Sequence, residues 1–153
     1  MSYRSLFKDA AKKKDYEPLK VSSTAFEHGK NIPVKYTCNG INISPPLDID
    51  QIPAETKCLA LIVDDPDAPV ATWVHWLVWN IPVTNHIKEN EICGKEGLND
   101  FQQQHYGGPC PPSGEHRYFL KFMPWTLYWI YLLIPKNTAL KRQWYNILSP
   151  TEN

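Results

Sequence analysis

The sequence of 153 residues lacks the motifs of several common chemistries. Its four cysteines form no Cys-x-x-Cys pair, which argues against a structural zinc site. It contains no phosphate-binding P-loop, no dinucleotide-binding glycine pattern, no zinc-protease motif and no Gly-x-Ser-x-Gly nucleophile turn. The corresponding classes of nucleotide-binding protein, metalloprotease and serine hydrolase are therefore not indicated, and we expect no cofactor.

The sequence also lacks an excess of one charge and a long apolar run. Sixteen basic and sixteen acidic residues give a net charge of +0, so no global field favours nucleic acid, and we expect no nucleic-acid partner. The apolar run at residues 125–134 is shorter than the ~20 residues that span a bilayer. We therefore expect no integral membrane segment.

The first twenty residues lack the apolar segment of a secretory signal. We therefore expect a cytoplasmic location and, in that reducing compartment, four free thiols. Residues 1–20 are polar and rich in lysine, which favours a solvated extension over an amphipathic helix on an anionic surface. The four thiols belong to Cys38, Cys58, Cys93 and Cys110.

Glycine is scarce and proline abundant, with seven and fourteen residues respectively, alongside six tryptophans and eight tyrosines. Many turns and many aromatic residues favour a mostly β fold with few short helices. The length suits one domain, which we assign to residues 21–153. We expect strands at residues 21–26, 33–40 and 58–63, and we expect His86 to be exposed without a partner.

Residues 59–82 form the most informative stretch. An apolar run ends in Asp64, Asp65 and Asp67, with prolines that fix a turn at the strand end. A second strand-like run follows, in which alternation places Trp73, His75 and Leu77 on one face. A histidine in such a run is more often part of a satisfied core than a ligand contact.

A second stretch, residues 106–121, favours a ligand contact over a core role for His75. A loop of glycines and prolines leads into a predicted strand that starts at His116, and alternation points His116 and Tyr118 the same way. Cationic imidazoles, a phenol O–H group and free backbone N–H groups are all donors. We expect this set to bind a small anion, with Asp65 orienting His75.

These motifs resemble the phosphatidylethanolamine-binding protein family, and most closely its bacterial and archaeal Raf kinase inhibitor-like branch, over about residues 21–121. They are Asp65-Pro66-Asp67-Ala68-Pro69, Trp73-Val74-His75, Cys110-Pro111-Pro112-Ser113-Gly114 and His116-Arg117-Tyr118. The resemblance implies a two-sheet antiparallel β-sandwich with an anion pocket at one end. It implies the following ligand-binding residues: Asp65, Trp73, His75, Gly108, Cys110, Pro111, Pro112, His116 and Tyr118.

The leading functional hypothesis is non-catalytic binding of a small phosphate-bearing or phospholipid head-group-like anion, with modulation of a protein partner such as a kinase as a further expectation. One alternative is a hydrolase that uses an Asp65/His75 pair as general base, for which Cys110 is a candidate nucleophile. Another is an interaction protein with a vestigial pocket. We expect Asp65, His75 and His116 to hydrogen-bond to one another rather than hold a metal ion.

The pattern changes after Lys121. Pro124 is expected to break the strand that begins at His116, and residues 122–134 follow no clean period. Back-translation with a shifted frame restores an alternating, family-like continuation, so we suspect that residues 122–134 and 144–153 are out of frame. Residues 135–143 read as the start of a helix. The resemblance therefore implies an altered and shortened C-terminus.

Overall fold

The structure is a computed structural model that describes residues 19–125. These residues belong to one compact unit, Glu17–Trp125. The strands are β1 Lys20–Ser22, β2 Leu47–Asp50, β3 Cys58–Asp65, β4 Trp73–Ile81, β5 His86–Ile87, β6 Lys95–Glu96 and β7 Phe119–Trp125, and the helical structure in this range is the 3₁₀ turn Val34–Tyr36. The prediction of a mostly β protein is confirmed.

The strands form two antiparallel sheets. One sheet has the order β1-β2-β5, and the other has the order β6-β4-β3-β7. In the larger sheet Ile62 lies opposite both Leu77 of β4 and Lys121 of β7, so β3 is a central strand. The prediction of a two-sheet antiparallel sandwich is confirmed.

The hydrophobic core joins the two sheets. Burying a large apolar side chain stabilises the fold by roughly 1.5–3 kcal/mol, so these side chains account for much of the sandwich's stability. The three-stranded sheet contributes Leu47, Ile49 and Ile87. The four-stranded sheet contributes Leu59, Leu61, Val63, Trp76, Val78, Ile81 and Phe122.

A register shift in the β3–β4 ladder changes the direction of one side chain. Val63 lies opposite Trp76 and Asp64 lies opposite Val74, so His75 has no residue opposite it on β3. An unpaired residue of this kind is a β-bulge, which bends a strand and re-aims its side chains. The regular alternation of side chains that the sequence predicts around His75 is therefore interrupted at this residue.

Two predicted strands differ from the structure. The first strand is shorter than residues 21–26 and ends at Ser22. Residues 33–40 do not form a strand but begin with the 3₁₀ turn Val34–Tyr36. The Tyr36 N–H donates to the Pro33 carbonyl, and the proline ring, with φ near −57°, suits the start of a helical turn.

The strand near the C-terminal end of the described range also differs. It begins at Phe119 rather than His116, and it continues through Pro124, which lies opposite Leu59. The expectation that Pro124 breaks the strand is wrong. In the described sheet β7 is an edge strand, where a proline can turn its missing donor away from the ladder.

Several predictions fall wholly or partly outside the described range. The polar extension at residues 1–20, the helix start at residues 135–143 and the suspected frame change at residues 144–153 stay predictions. So does the frame change at residues 122–134, because an extended strand through Trp125 is compatible with either reading frame. The domain boundary at residue 21 is likewise not tested.

Candidate functional site

Asp65 lies at the end of β3 and is only 3% exposed. Its Oδ2 accepts a hydrogen bond from Nδ1 of His116 at 2.7 Å. Its Oδ1 accepts the backbone N–H of Asp67 at 2.8 Å across Pro66, which forms a turn closed by the aspartate side chain. Both carboxylate oxygens are thus held, and the buried charge has a histidine partner.

The predicted pairing of Asp65 with His75 is wrong. His75 places Nδ1 2.8 Å from the carbonyl oxygen of Gly107, while Asp65 bonds to His116. A carbonyl oxygen only accepts, so Nδ1 of His75 carries the proton. The bulge at His75 turns its ring to the glycine loop, whereas His116 approaches Asp65 from the segment before β7.

The expectation of a cationic His75 is also corrected. The residue is 3% exposed, and burial lowers the pKa of its imidazole, although the Gly107 carbonyl and the Asp65 charge act in the opposite direction. A neutral imidazole with a proton on Nδ1 has an unprotonated Nε2. Among residues 19–125, no hydrogen bond engages that Nε2. His75 therefore offers an acceptor to this region.

Tyr118 supplies a buried hydroxyl group beside these histidines. Its ring meets the His75 ring edge-on, with 5.2 Å between centroids. Burial and the Asp65 charge raise the pKa of the phenol to about 12, against a smaller opposing effect of the Cys110 backbone N–H. The hydroxyl meets neither neighbour in hydrogen-bond geometry. An unbonded buried hydroxyl is uncommon and marks a place for a water or a ligand.

Aromatic rings line the site beside His75. Phe101 packs edge-on against Trp73 at 5.5 Å and against His75 at 5.2 Å between ring centroids. Trp73 and Phe101 are each 38% exposed, so they combine this contact with access to solvent. The sequence did not identify Phe101, because it lies outside the two motif stretches and only the fold brings it to Trp73.

The glycine loop is pinned from two sides. The Gly107 N–H donates to the His75 carbonyl, and the Gly108 N–H donates to Asn42 Oδ1 at 2.8 Å. A Cβ at Gly108 would lie 2.4 Å from the Tyr36 carbonyl oxygen, so only glycine fits there. These two amides are therefore not the free donors that the sequence predicted.

The third amide of the loop belongs to Cys110. Residues 109, 111 and 112 are prolines, which have no N–H group. Within residues 107–112, the Cys110 N–H is therefore the remaining amide, and it acts on the Tyr118 hydroxyl, where it opposes the rise in the pKa of the phenol. Pro111 and Pro112 are exposed in the same loop.

Cys110 is joined to Cys38 by a disulfide, with 5.4 Å between the Cα atoms. The prediction of four free thiols is therefore wrong, and the described free cysteines are Cys58 and Cys93. The Cys38 N–H also donates to the Pro109 carbonyl, which brings the two loops together. A sulfur in a disulfide is not a thiolate, so Cys110 in this form is not a nucleophile.

The acidic turn is tied to the residue next to His116. Asp67 accepts three hydrogen bonds from Arg117, two from the guanidinium and one from the backbone N–H. The guanidinium holds the pKa of the Asp67 carboxyl well below its usual range. The sequence analysis did not predict this pair. The available signal was that Asp67 and Arg117 carry opposite charges and lie in the motifs that contain Asp65 and His116.

Two of the other histidines have partners of their own. His86 is exposed as predicted, but it has a partner, since its Nδ1 lies 2.7 Å from Asp48 Oδ1. His105 bonds to the carbonyl of Tyr106 through Nδ1. Among residues 19–125, no three His, Cys, Asp or Glu side chains are grouped so as to hold a metal ion. In the same range, no helix has the length and apolar character needed to cross a membrane.

Comparison with known proteins places this geometry in a family. The sequence model of the family Phosphatidylethanolamine-binding protein matches residues 22–128. A UPF0098 protein of Archaeoglobus fulgidus is 42% identical over 125 residues, which cover 76% of this chain and 44% of that protein. A UPF0098 protein of Aquifex aeolicus is 46% identical over 112 residues, which cover 67% and 66%. The chain thus matches less than two thirds of the length of these relatives.

Two crystal structures are similar. CT736 of Chlamydia trachomatis, named a phosphatidylethanolamine-binding protein homolog, is 40% identical with a TM-score of 0.65, over 69% of this chain and 73% of that one. YbcL of E. coli, described as a member of the mammalian PEBP family, is 31% identical with a TM-score of 0.65, over 71% and 77%. The chain belongs to the phosphatidylethanolamine-binding protein family, in its bacterial and archaeal branch.

Proposed function

We propose that the protein binds a small phosphate-bearing anion without catalysis, at the site around Asp65, His116 and Tyr118. The observation that carries this proposal is the buried Tyr118 hydroxyl, which lies beside Asp65 and the Cys110 N–H but meets no described residue in hydrogen-bond geometry. A buried hydroxyl donor, next to a histidine whose Nδ1 is held by a carboxylate, suits an oxyanion.

The names of the relatives support the same chemical class. A phosphatidylethanolamine head group carries a phosphate, so a family named for that lipid fits a phosphate-bearing ligand. The proposed ligand-binding residues stay those expected from the sequence, with altered roles for two of them. His75 is an acceptor rather than a cation, and Gly108 shapes the loop rather than donating to the ligand.

Binding of a protein partner such as a kinase and a cytoplasmic location stay predictions. No described contact identifies a partner surface. The disulfide between Cys38 and Cys110 weighs against the argument for location, because such bonds persist mainly in oxidising compartments.

The residues that the hydrolase alternative requires are not arranged as it needs. Asp65 is not paired with His75, and Cys110 is bonded to Cys38. The other alternative, an interaction protein with a vestigial pocket, is tested by the binding experiment described next.

The test is calorimetric titration of phosphorylethanolamine into the wild-type chain, His116→Ala and His86→Ala. Hydrogen bonds to charged groups contribute about 1.5–3 kcal/mol, so His116→Ala should weaken binding roughly ten-fold to a hundred-fold. His86 is an exposed histidine outside the site, so its variant should bind as wild type does. A folded wild-type protein that binds nothing would favour the vestigial pocket.

A further inference from the structure

The disulfide between Cys38 and Cys110 lies at the surface of the protein. Both of these cysteines are exposed, whereas the free cysteines Cys58 and Cys93 are partly buried. A reductant can therefore reach the bonded sulfurs without unfolding of the chain. Exposed disulfides are more easily reduced than buried ones, and the labile, regulatory disulfides of proteins are of this kind.

Cys38 belongs to a loop that is held in place by its own hydrogen bonds. Thr37 donates to the Val34 carbonyl from both its N–H group and its hydroxyl group. The Gly40 N–H donates to the Thr37 carbonyl at 3.0 Å, which closes a turn around Cys38. The disulfide thus fastens Cys110 to a fixed point of the fold.

Cys110 marks a boundary in the loop of glycines and prolines. Residues 106–109 are buried and hydrogen-bonded to the rest of the fold. Residues 111–115 are exposed, and no hydrogen bond or ion pair to a described residue holds them. The next fixed residue is His116, whose Nδ1 donates to Asp65. The disulfide is therefore the tether at one end of the exposed segment.

This tether reaches the candidate site through one backbone amide. The Cys110 N–H acts on the Tyr118 hydroxyl, which is the group that we assign as a ligand donor. The disulfide restrains the residue that carries this amide. Reduction removes that restraint, so the backbone beside Tyr118 becomes less well ordered.

We propose that the Cys38–Cys110 bond is a redox switch that tightens the candidate anion site when it is oxidised and loosens the site when it is reduced. This inference rests on the proposed function and adds a control of ligand affinity. The reductant is a dithiol, which donates two electrons to the bond and is itself oxidised to a disulfide.

The reduction proceeds by thiol–disulfide exchange. A thiolate of the reductant attacks one sulfur of the bond and forms a mixed disulfide, and the other cysteine leaves as a thiolate that takes up a proton. The second thiol of the reductant loses its proton and displaces the remaining cysteine, which is protonated in turn. The chain then carries two additional thiols, at Cys38 and Cys110.

Ligand binding and reduction are coupled, because the ligand favours the oxidised form. Ordering the backbone of one freed residue should weaken binding about five-fold to thirty-fold in the reduced chain. By linkage, the ligand disfavours reduction by the same factor, which lowers the midpoint potential of this two-electron couple by about 20–45 mV. A disulfide that serves stability alone would leave both quantities unchanged.

The first experiment is calorimetric titration of phosphorylethanolamine into the wild-type chain before and after reduction by dithiothreitol. Circular dichroism of the same samples reports whether the reduced chain is folded. The affinity should fall on reduction by the factor given above, and C38S/C110S should bind as the reduced wild-type chain does, with or without reductant. The matched control is Cys58→Ser, which removes a thiol that takes no part in the bond and should respond to the reductant as wild type does.

A second measurement needs no variant. The fraction of reduced Cys38 and Cys110 is followed in dithiothreitol redox buffers, with and without saturating phosphorylethanolamine, and the ligand should shift the midpoint to the more negative potential. Equal affinities of the oxidised and reduced chains, an unshifted midpoint, or unfolding on reduction would each overturn the inference and leave the proposed function intact. Failure of the oxidised chain to bind phosphorylethanolamine would overturn the proposed function and this inference together.

Discussion

His75 and Gly107 are joined by two hydrogen bonds that run in opposite directions. The imidazole Nδ1 donates to the Gly107 carbonyl at 2.8 Å, and the Gly107 N–H donates to the His75 carbonyl at 3.0 Å. The buried side chain of Asn99 also donates to the His75 carbonyl. The position of the glycine loop and the tautomer of His75 are thus fixed together.

The first prediction concerns Gly108. A methyl group there would press against the Tyr36 carbonyl and the Asn42 side chain, both of which belong to the packed loop. Overpacking of this kind costs about 1–3 kcal/mol, so Gly108→Ala should lower the free energy of unfolding by that amount in urea denaturation. Ser113→Ala, at an exposed position of the same loop, should change it little. Equal stabilities for the two variants would contradict the packed-loop description.

The second prediction concerns the disulfide. Freshly purified, denatured protein should titrate two thiols before reduction and four after it, because Cys58 and Cys93 are free while Cys38 and Cys110 are bonded. The bond spans 72 residues, and closing a loop of that length in the unfolded chain contributes about 4 kcal/mol.

A reductant should therefore lower the Tm of the wild-type chain, and it should leave the Tm of the double variant C38S/C110S unchanged. Four thiols in the unreduced protein, or a wild-type Tm that does not respond to reductant, would argue against the bond.

The third prediction concerns pH. Burial lowers the pKa of His75 in the folded protein below its unfolded value of about 6.5. The unfolded state then binds more protons, so this residue's contribution to stability is complete above pH ~6.5 and is lost as the pH falls through the folded pKa. Denaturant unfolding of the wild-type chain between pH ~7 and ~5 should show this loss.

His75→Gln should show a smaller loss of stability over the same range. Parallel pH profiles for the wild-type chain and His75→Gln would mean that His75 titrates normally.

Local patterns in the sequence were enough to predict the main elements of the fold. The apolar run before Asp65 predicts a strand at residues 58–63, close to the observed Cys58–Asp65. Alternation pointed His116 and Tyr118 the same way, and both lie next to Asp65 although β7 begins only at Phe119. These features depend on residues that are close to one another in the sequence, so the sequence alone is enough to predict them.

Pairings between distant residues could not be predicted in this way. The three acids of the turn look alike in sequence, yet Asp64 pairs with Lys121, Asp65 with His116 and Asp67 with Arg117. Which partner each acid meets depends on the register between β3 and the chain entering β7. The bulge at His75 is likewise a property of the ladder, and it decided that Gly107 rather than Asp65 orients the ring.

The cysteines illustrate the same limit. Four cysteines allow three ways of forming two disulfides, and their spacing selects none of them. Reasoning from the expected compartment predicted that none would form. The 5.4 Å between the Cα atoms of Cys38 and Cys110 arises because the 3₁₀ turn Val34–Tyr36 leads one loop onto the other.

The central claim is that the buried Tyr118 hydroxyl is a ligand donor, and a titration of inorganic phosphate into the wild-type chain, Tyr118→Phe and Tyr36→Phe tests it most directly. Tyr36 is a matched control, because its hydroxyl bonds to Glu89. Loss of a hydrogen bond to a charged group should weaken phosphate binding about ten-fold or more in Tyr118→Phe, without loss of folding, and should leave Tyr36→Phe at the wild-type affinity. Equal phosphate affinity in all three proteins would contradict the account.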